Sequence, residues 1–182
     1  MKKILGFSAL LLLFSLPTLA QYEGAEVGGG YTYRSLDVPA SPRLSMNGWD
    51  FNAAANLYKW FGMAMDADGT RNDQGANGTT WTYTVMGGPR IYPMGHQKVT
   101  PFVQALFGKG FLTLNIPGFG SFSDGFFAWS AGGGVDWTVS RHIAVRLGEF
   151  DFEQLQSSFL DGFAPGPHQN DFKYKGGIVF RF

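Results

Sequence analysis

Two sets of residues in this 182-residue sequence could do chemistry. The first is a set of six bases and six acids that could form ion pairs or line a passage for ions: Arg34, Arg90, Arg146, Lys173, Lys175 and Arg181, with Glu26, Asp50, Asp66, Asp68, Asp136 and Asp151. The second is the three histidines, which together with serine or carboxylate side chains are residue types of hydrolytic and metal sites. The elements that position these residues decide what each set can do.

The last segment of the chain, 171–182, shows the positioning element most clearly. From Phe172 onward the even positions are aromatic, aliphatic or glycine, whereas Lys173, Lys175 and Arg181 fall on odd positions. Alternate side chains of a strand point to opposite faces, so one face is apolar and the other cationic. A membrane barrel turns such an apolar face outward to lipid.

Seven further segments repeat this alternation, and together they predict an all-β, eight-stranded antiparallel up-and-down transmembrane β-barrel. Their predicted bounds are 23–34, 48–58, 61–68, 80–92, 99–112 and 127–139, with a seventh strand that begins at Ile143. In the fifth strand, Phe102 and Leu106 fall on the inward face. In the seventh, a β-bulge at Gly148–Glu149 is needed to keep Phe150 outside and Asp151 inside.

The connections between the predicted strands alternate in length. They are short at 59–60, 93–97 and 140–142, and long at 35–47, 69–79, 113–126 and 155–170. Outer-membrane barrels have short periplasmic turns and longer extracellular loops. We therefore expect both termini in the periplasm.

The N-terminus has the pattern of a secretory signal peptide. Lys2 and Lys3 precede a short apolar run, and small residues follow up to Ala20. We expect residues 1–20 to be cleaved and residues 21–182 to form the barrel, as a monomer. Without the two lysines, 12 basic residues face 14 acidic ones, which gives no reason to expect a nucleic-acid partner.

The chain resembles the small eight-stranded outer-membrane barrels of the OmpA/OmpX type over residues 21–182. The most specific element is the C-terminal strand, which is similar to the sorting signal of that family. The resemblance implies that the barrel-assembly machinery reads Tyr174, Ile178, Phe180 and Phe182 during biogenesis. It also implies a location in the cell outer membrane of a Gram-negative envelope, in contact with outer-membrane lipid and lipopolysaccharide.

With the apolar faces turned to lipid, the twelve charged side chains all point into the lumen. An eight-stranded barrel is only wide enough inside for side chains to fill it. Unpaired buried charge is costly, so we expect these bases and acids to pair in a polar network that holds the barrel shut. The alternative is a narrow ion or solute pore lined by the same charges.

The histidines do not assemble into one site in this topology. His96 and His142 fall in periplasmic turns and His168 in an extracellular loop, across a bilayer core ~30 Å thick. Ser157 or Ser158 with Asp161 and His168 could form a lipid-modifying enzyme site only within one loop, without the positioning that such chemistry needs. We expect no catalytic residues, no metal site and no cofactor, with a lipid-modifying outer-membrane enzyme as a second alternative.

The extracellular loops carry apolar residues that could bind an unknown extracellular ligand: Ile116, Phe119 and Phe122 in the third loop, and Phe159 and Phe163 in the fourth. They could instead pack over the barrel mouth or join the aromatic girdle. The sequence therefore predicts a barrel with a structural role, a surface-binding role, or both.

Overall fold

The structure is a computed structural model that describes residues 24–36, 43–73, 78–118, 120–156 and 169–182. Within these ranges, eight strands form one closed barrel: β1 (Ala25–Leu36), β2 (Leu44–Tyr58), β3 (Phe61–Asp73), β4 (Thr79–Ile91), β5 (Val99–Ile116), β6 (Gly120–Ser140), β7 (Ile143–Gln156) and β8 (Gln169–Arg181). Neighbouring strands are antiparallel throughout, and β8 pairs with β1 to close the sheet. The predicted fold class is confirmed. In the described part of the chain there is no helix of the length and apolarity needed to cross a membrane.

The barrel has two different ends. At the terminal end, where Gly24 and Phe182 lie, the connections are 59–60, 92–98 and 141–142. At the loop end the connections are 37–43, 74–78, 117–119 and 157–168. The predicted signal peptide, together with Phe119, Phe159 and Phe163, lies outside the described residues.

The third long loop was predicted wrongly. Most of segment 113–126 is strand, because β5 continues to Ile116, β6 begins at Gly120, and their residues stay paired to the tip of the hairpin. The loops predicted at 35–47 and 69–79 are also shorter, since β2 begins at Leu44 and β3 continues to Asp73. In the β5–β6 extension the described side chains before Phe126 are exposed or half-buried, so it lacks the alternation that marks the membrane segments. The β2 extension instead packs Leu44 and Met46 against Leu36 in the interior.

The strand register fixes the tilt and width of the barrel. In register, one row of the sheet passes from Ala25 through Ala55, Met63, Pro89, Ala105, Ala131, Phe152 and Phe172 back to β1 at Ser35, ten residues further along. This displacement requires the strands to tilt against the barrel axis, by roughly 35–45° in barrels of this kind. Eight strands at that tilt enclose an interior that side chains can fill.

The seam between β1 and β8 is built from glycine. Gly28, Gly29 and Gly30 of β1 lie opposite Val179, Ile178 and Gly177 of β8. A Cβ atom at Gly30 would collide with the backbone of Gly176, and one at Gly177 would collide with the carbonyl of Gly29. The two backbones can therefore approach closely only because side chains are missing on both strands.

The bulge predicted in β7 is present one residue earlier than expected. Gly148 lies opposite Val135 and Arg146 opposite Asp136, so Leu147 is the extra residue. The shift leaves Leu147 and Phe150 exposed on the outer wall and buries Glu149 and Asp151 in the lumen. The bulge therefore adds one acid, Glu149, to the interior.

Candidate functional site

The candidate site is the barrel interior, where all twelve charged side chains named from the sequence point inward. Eleven of them belong to buried residues, and the side chain of Arg181 keeps 14% of its surface exposed at the terminal end. Ten of them form three groups of ion pairs along the barrel axis. The other two hydrogen-bond to neutral side chains: Arg90 donates to Gln104, and Asp50 accepts from Asn52 Nδ2 at 3.0 Å. Alternation along each strand places them there, since their sequence neighbours stand on the outer wall.

The loop-side cluster consists of Arg34, Lys173, Asp68, Glu153 and Asp171, whose side chains are all fully buried. Arg34 donates from Nη2 to Asp68 Oδ2 and from Nη1 to Glu153 Oε1, both at 2.9 Å. Lys173 Nζ lies 2.7 Å from Asp68 Oδ1 and 2.5 Å from Glu153 Oε2. The two cations thus join Asp68 on β3 to Glu153 on β7, on opposite walls of the barrel.

The central cluster consists of Lys175, Asp66, Glu149, Asp151, Arg146 and Asp136. Lys175 Nζ lies 2.6 Å from Asp66, 3.3 Å from Glu149 and 3.2 Å from Asp151. Arg146 contacts both carboxylate oxygens of Asp136, at 2.8 and 3.2 Å, and Glu149 at 2.7 Å. This cluster links β8 to β3 across the lumen and β7 to β6 along the wall.

Arg90 is held by neutral groups. Its Nε and Nη2 donate to Gln104 Oε1 at 2.9 and 2.6 Å, and Gln104 Nε2 in turn donates to Glu149 at 2.9 Å. The guanidinium carbons of Arg90 and Arg146 lie 4.5 and 4.6 Å from the centre of the Phe102 ring. The inward position of Phe102 thus gives two buried cations an aromatic face.

The terminal cluster is centred on Glu26. Its carboxylate accepts from Arg181 Nε at 2.9 Å and from the Tyr92 hydroxyl at 3.1 Å, and it lies 3.2 Å from His96 Nε2. Burial raises the pKa of the Tyr92 phenol well above its ordinary value, so the hydroxyl stays protonated and can donate. A cavity of about 730 Å³ opens at this end, lined by Glu26, His96, Arg181 and residues of the nearby turns.

Sequence reasoning missed three inward acids, Glu149, Glu153 and Asp171, together with Gln104, all of which are buried. With these three, nine carboxylates of the described residues share the lumen with six described Lys and Arg side chains. Alternation from Asp151 and Lys173 would have placed Glu153 and Asp171 inside. Glu149 depends on where the bulge lies, which the sequence did not locate.

The residues expected in the sorting signal and the loops lie away from this interior. Tyr174, Ile178, Phe180 and Phe182 are exposed on the outer wall and at its terminal edge. The backbones of Ile116 and Phe122 belong to β5 and β6 rather than to a loop. In the described residues there is no group of three or more His, Cys, Asp or Glu side chains that could hold a metal ion.

A closed antiparallel barrel with an apolar outer wall and a charged interior defines the class of integral membrane β-barrels. The chain belongs to the outer membrane protein beta-barrel domain family, whose model matches residues 7–176. Membership of this family places the protein in the outer membrane.

Solved structures of low sequence identity share the fold. Ail, the attachment invasion locus protein of Yersinia pestis, is 15% identical with a TM-score of 0.63, over 88% of this chain and 100% of that one. Neisserial surface protein A is 12% identical with a TM-score of 0.73, over 87% and 97% of the two chains. OprG from Pseudomonas aeruginosa is 10% identical with a TM-score of 0.57, over 88% and 96%. Among curated proteins no significant sequence match is found.

Proposed function

We propose that the protein is a closed outer-membrane barrel, with both termini in the periplasm, that presents its loop-end strands as a binding surface. The observation that carries the closed state is the loop-side cluster. It joins opposite walls through Arg34 and Lys173, and every side chain in it is fully buried.

Closure is favoured over a pore by the energetics of these ion pairs. An ion could pass only if the loop-side and central clusters both separated, which would leave several charges without partners in a narrow interior. Breaking one buried ion pair by removing a partner costs ~3–5 kcal/mol. A lumen held by many such contacts stays shut at neutral pH.

The binding surface is the β5–β6 hairpin. These strands have 18 and 21 residues, whereas crossing a membrane takes about 9–11. Residues 120–126 of β6 pair with β5, and β7 reaches β6 only from Phe127 onward, so none of the described residues pairs with their other edge. An edge strand of this kind can accept a strand from another protein.

The name of one structural neighbour supports a surface role. The Yersinia pestis protein is an attachment invasion locus protein, and it has been solved with the heparin analogue sucrose octasulfate. Long connections of outer-membrane barrels face outward. The hairpin of this chain would then face the exterior.

Conductance across a planar lipid bilayer tests closure. The purified barrel should give no single-channel steps at neutral pH, whereas a variant carrying Asp66→Ala, Asp68→Ala, Lys173→Ala and Lys175→Ala should leak, because it loses the contacts across the lumen in both clusters. Conductance steps of the same size in the unmodified protein and in this variant would mean that the lumen is an open pore.

Adhesion of whole cells tests the surface role. Shortening the hairpin by deleting residues 113–124 should lower attachment to host cells, since it removes most of the strand edge that no described residue pairs with. The control is a barrel in which Gln97 of a terminal-end turn is replaced by Ala, at equal amounts of folded protein. Equal attachment by all three proteins would leave the barrel a structural role only.

A further inference from the structure

The terminal end of the barrel presents basic residues at each of its turns. Lys59, Lys98 and Arg141 lie one in each of the three connections at that end, and all three are exposed. Of the described Asp and Glu residues, only Asp73 and Asp124 are not buried, and both lie near the loop end. Among the described residues, the exposed charged side chains of the terminal end are therefore all cationic.

Two of these cations are held at the mouth of the terminal-end cavity. Lys98 and Arg141 line this cavity of about 730 Å³, together with Arg181. The backbone carbonyl of Lys98 accepts from the Thr138 amide at 2.8 Å, and that of His142 accepts from the Arg181 amide at 2.9 Å. These hydrogen bonds attach both turns to neighbouring strands, so the two basic side chains extend from a fixed frame.

The acid of this cavity does not neutralise the two cations at its mouth. Glu26 is the one carboxylate side chain among the described lining residues, and it is buried. It already contacts Arg181 at 2.9 Å and the Tyr92 hydroxyl at 3.1 Å. Within the described part of the chain, no carboxylate forms an ion pair with Lys98 or Arg141. Both can therefore contact a negatively charged ligand.

We propose that the terminal face, defined by Lys59, Lys98 and Arg141, binds an acidic segment of another protein in an extended conformation. Successive turns at this end are two strands apart, and neighbouring strands are ~4.8 Å apart, so the bases stand roughly 10 Å apart. An extended chain rises ~3.3 Å per residue, so carboxylates about three residues apart match this spacing. Carboxylate oxygens accept from a guanidinium in a fork and from an ammonium as a point charge.

The position of the cations favours a protein segment over a lipid headgroup. The outer wall at this end is apolar, with Val99, Trp137 and Ile143 exposed to the lipid side. Lys98 and Arg141 instead line the cavity, which a side chain of an extended segment can enter from the end of the barrel. The periplasmic origin of the partner rests on the orientation given under the proposed function, whereas the binding site itself does not.

Fluorescence anisotropy of a labelled peptide of Glu-Ser-Ser repeats, titrated with the folded barrel in uncharged detergent, tests this site. The double variant Lys98→Gln, Arg141→Gln should weaken binding about five-fold, as expected for the loss of two exposed charge contacts. The matched control is Arg43→Gln, Arg71→Gln, which removes two exposed cations from the loop end and should bind as the unmodified protein does. A mobility shift on boiling shows that each variant is folded.

Two competing ligands are separated by the same titration. A peptide of Gln-Ser-Ser repeats should not bind, and phosphatidylglycerol added to the micelles should not displace the acidic peptide. Unchanged binding in the terminal-end double variant, an equal loss in the loop-end control, or displacement by phosphatidylglycerol would each overturn the proposal.

The orientation is tested separately in whole cells. The chain contains no cysteine, so Lys59→Cys provides a single site for a membrane-impermeant maleimide. This cysteine should react only after the outer membrane is permeabilised. Reaction in intact cells would overturn the orientation and the periplasmic origin of the partner, while a failure of the peptide titration would overturn the binding site alone.

Discussion

The loop-side cluster gives the sharpest test of how the lumen is stabilised, through the substitution Asp68→Asn. The Asp68 carboxylate contacts Arg34 at 2.9 Å and Lys173 at 2.7 Å and accepts from the Thr84 hydroxyl at 2.5 Å, with no exposed side-chain surface. The amide keeps the shape but removes the charge, so Arg34 and Lys173 must share the remaining carboxylates. Losing one member of a buried ion pair costs ~3–5 kcal/mol, and because Glu153 still serves both cations we expect about 3 kcal/mol.

The assay is urea unfolding of the barrel in lipid vesicles, followed by the fluorescence of its five tryptophans. The matched control is Asp73→Asn on the same strand, where Asp73 pairs with Arg71 at 2.8 Å in an exposed position. Surface pairs of this kind contribute ~0–1 kcal/mol. If the two substitutions lower the free energy of unfolding by the same amount, the buried network does not stabilise the barrel in the way described.

Three other substitutions probe the seam, the outer wall and the terminal end. Gly177→Val should abolish the gel band that shifts on boiling, because its side chain meets the backbone of the facing strand. The control Gly125→Ala, whose Cβ would lie 3.5 Å from its nearest neighbour, should keep that band. If both variants fold, close approach at the seam does not require glycine. Met65 is exposed within β3, whereas Val139 is next to the end of β6 at the terminal edge, so we expect Met65 to lie deeper in the bilayer. Met65→Arg should lower the free energy of unfolding by ~2–4 kcal/mol and Val139→Arg by ~0–1 kcal/mol, and equal effects would contradict this difference in depth. Tyr92→Phe removes one hydrogen bond to the buried Glu26 carboxylate and should lower the free energy of unfolding by ~1–2 kcal/mol, without any gain in conductance. An unchanged free energy of unfolding would mean that this hydrogen bond is not made.

Alternation made much of the barrel predictable from sequence. Where one face meets lipid and the other meets the lumen, a strand must alternate, and residues such as Asp66 between Met65 and Ala67 show their direction without a structure. The short connections at the terminal end follow for the same reason, since the apolar pattern stops and resumes within a few residues.

Other features of the barrel could not be predicted from the sequence, because no residue pattern marks them or because the pattern is ambiguous. Thr113 and Ser123 are paired strand residues at the loop end, but both faces of that hairpin meet water, so no alternation marks it. Glu149 points inward only because the extra residue of the bulge in β7 is Leu147, and the sequence predicted that bulge at Gly148–Glu149. Ion pairs in the lumen, such as Lys173 with Asp68, join residues far apart in sequence. Alternation predicts which side chains point inward, but it does not predict which of them pair.

The glycine seam has a consequence for the order of assembly. Glu26 and Arg181, which form an ion pair at its terminal end, are 155 residues apart, so the seam joins the first and last strands of the described chain. Contacts between such distant segments form slowly, and until they form the sheet has two open edges that could pair with other chains. Closing the seam is therefore the step that turns an aggregation-prone sheet into a barrel without edges. In the glycine stretch the facing backbones can come into register without a side chain in the way.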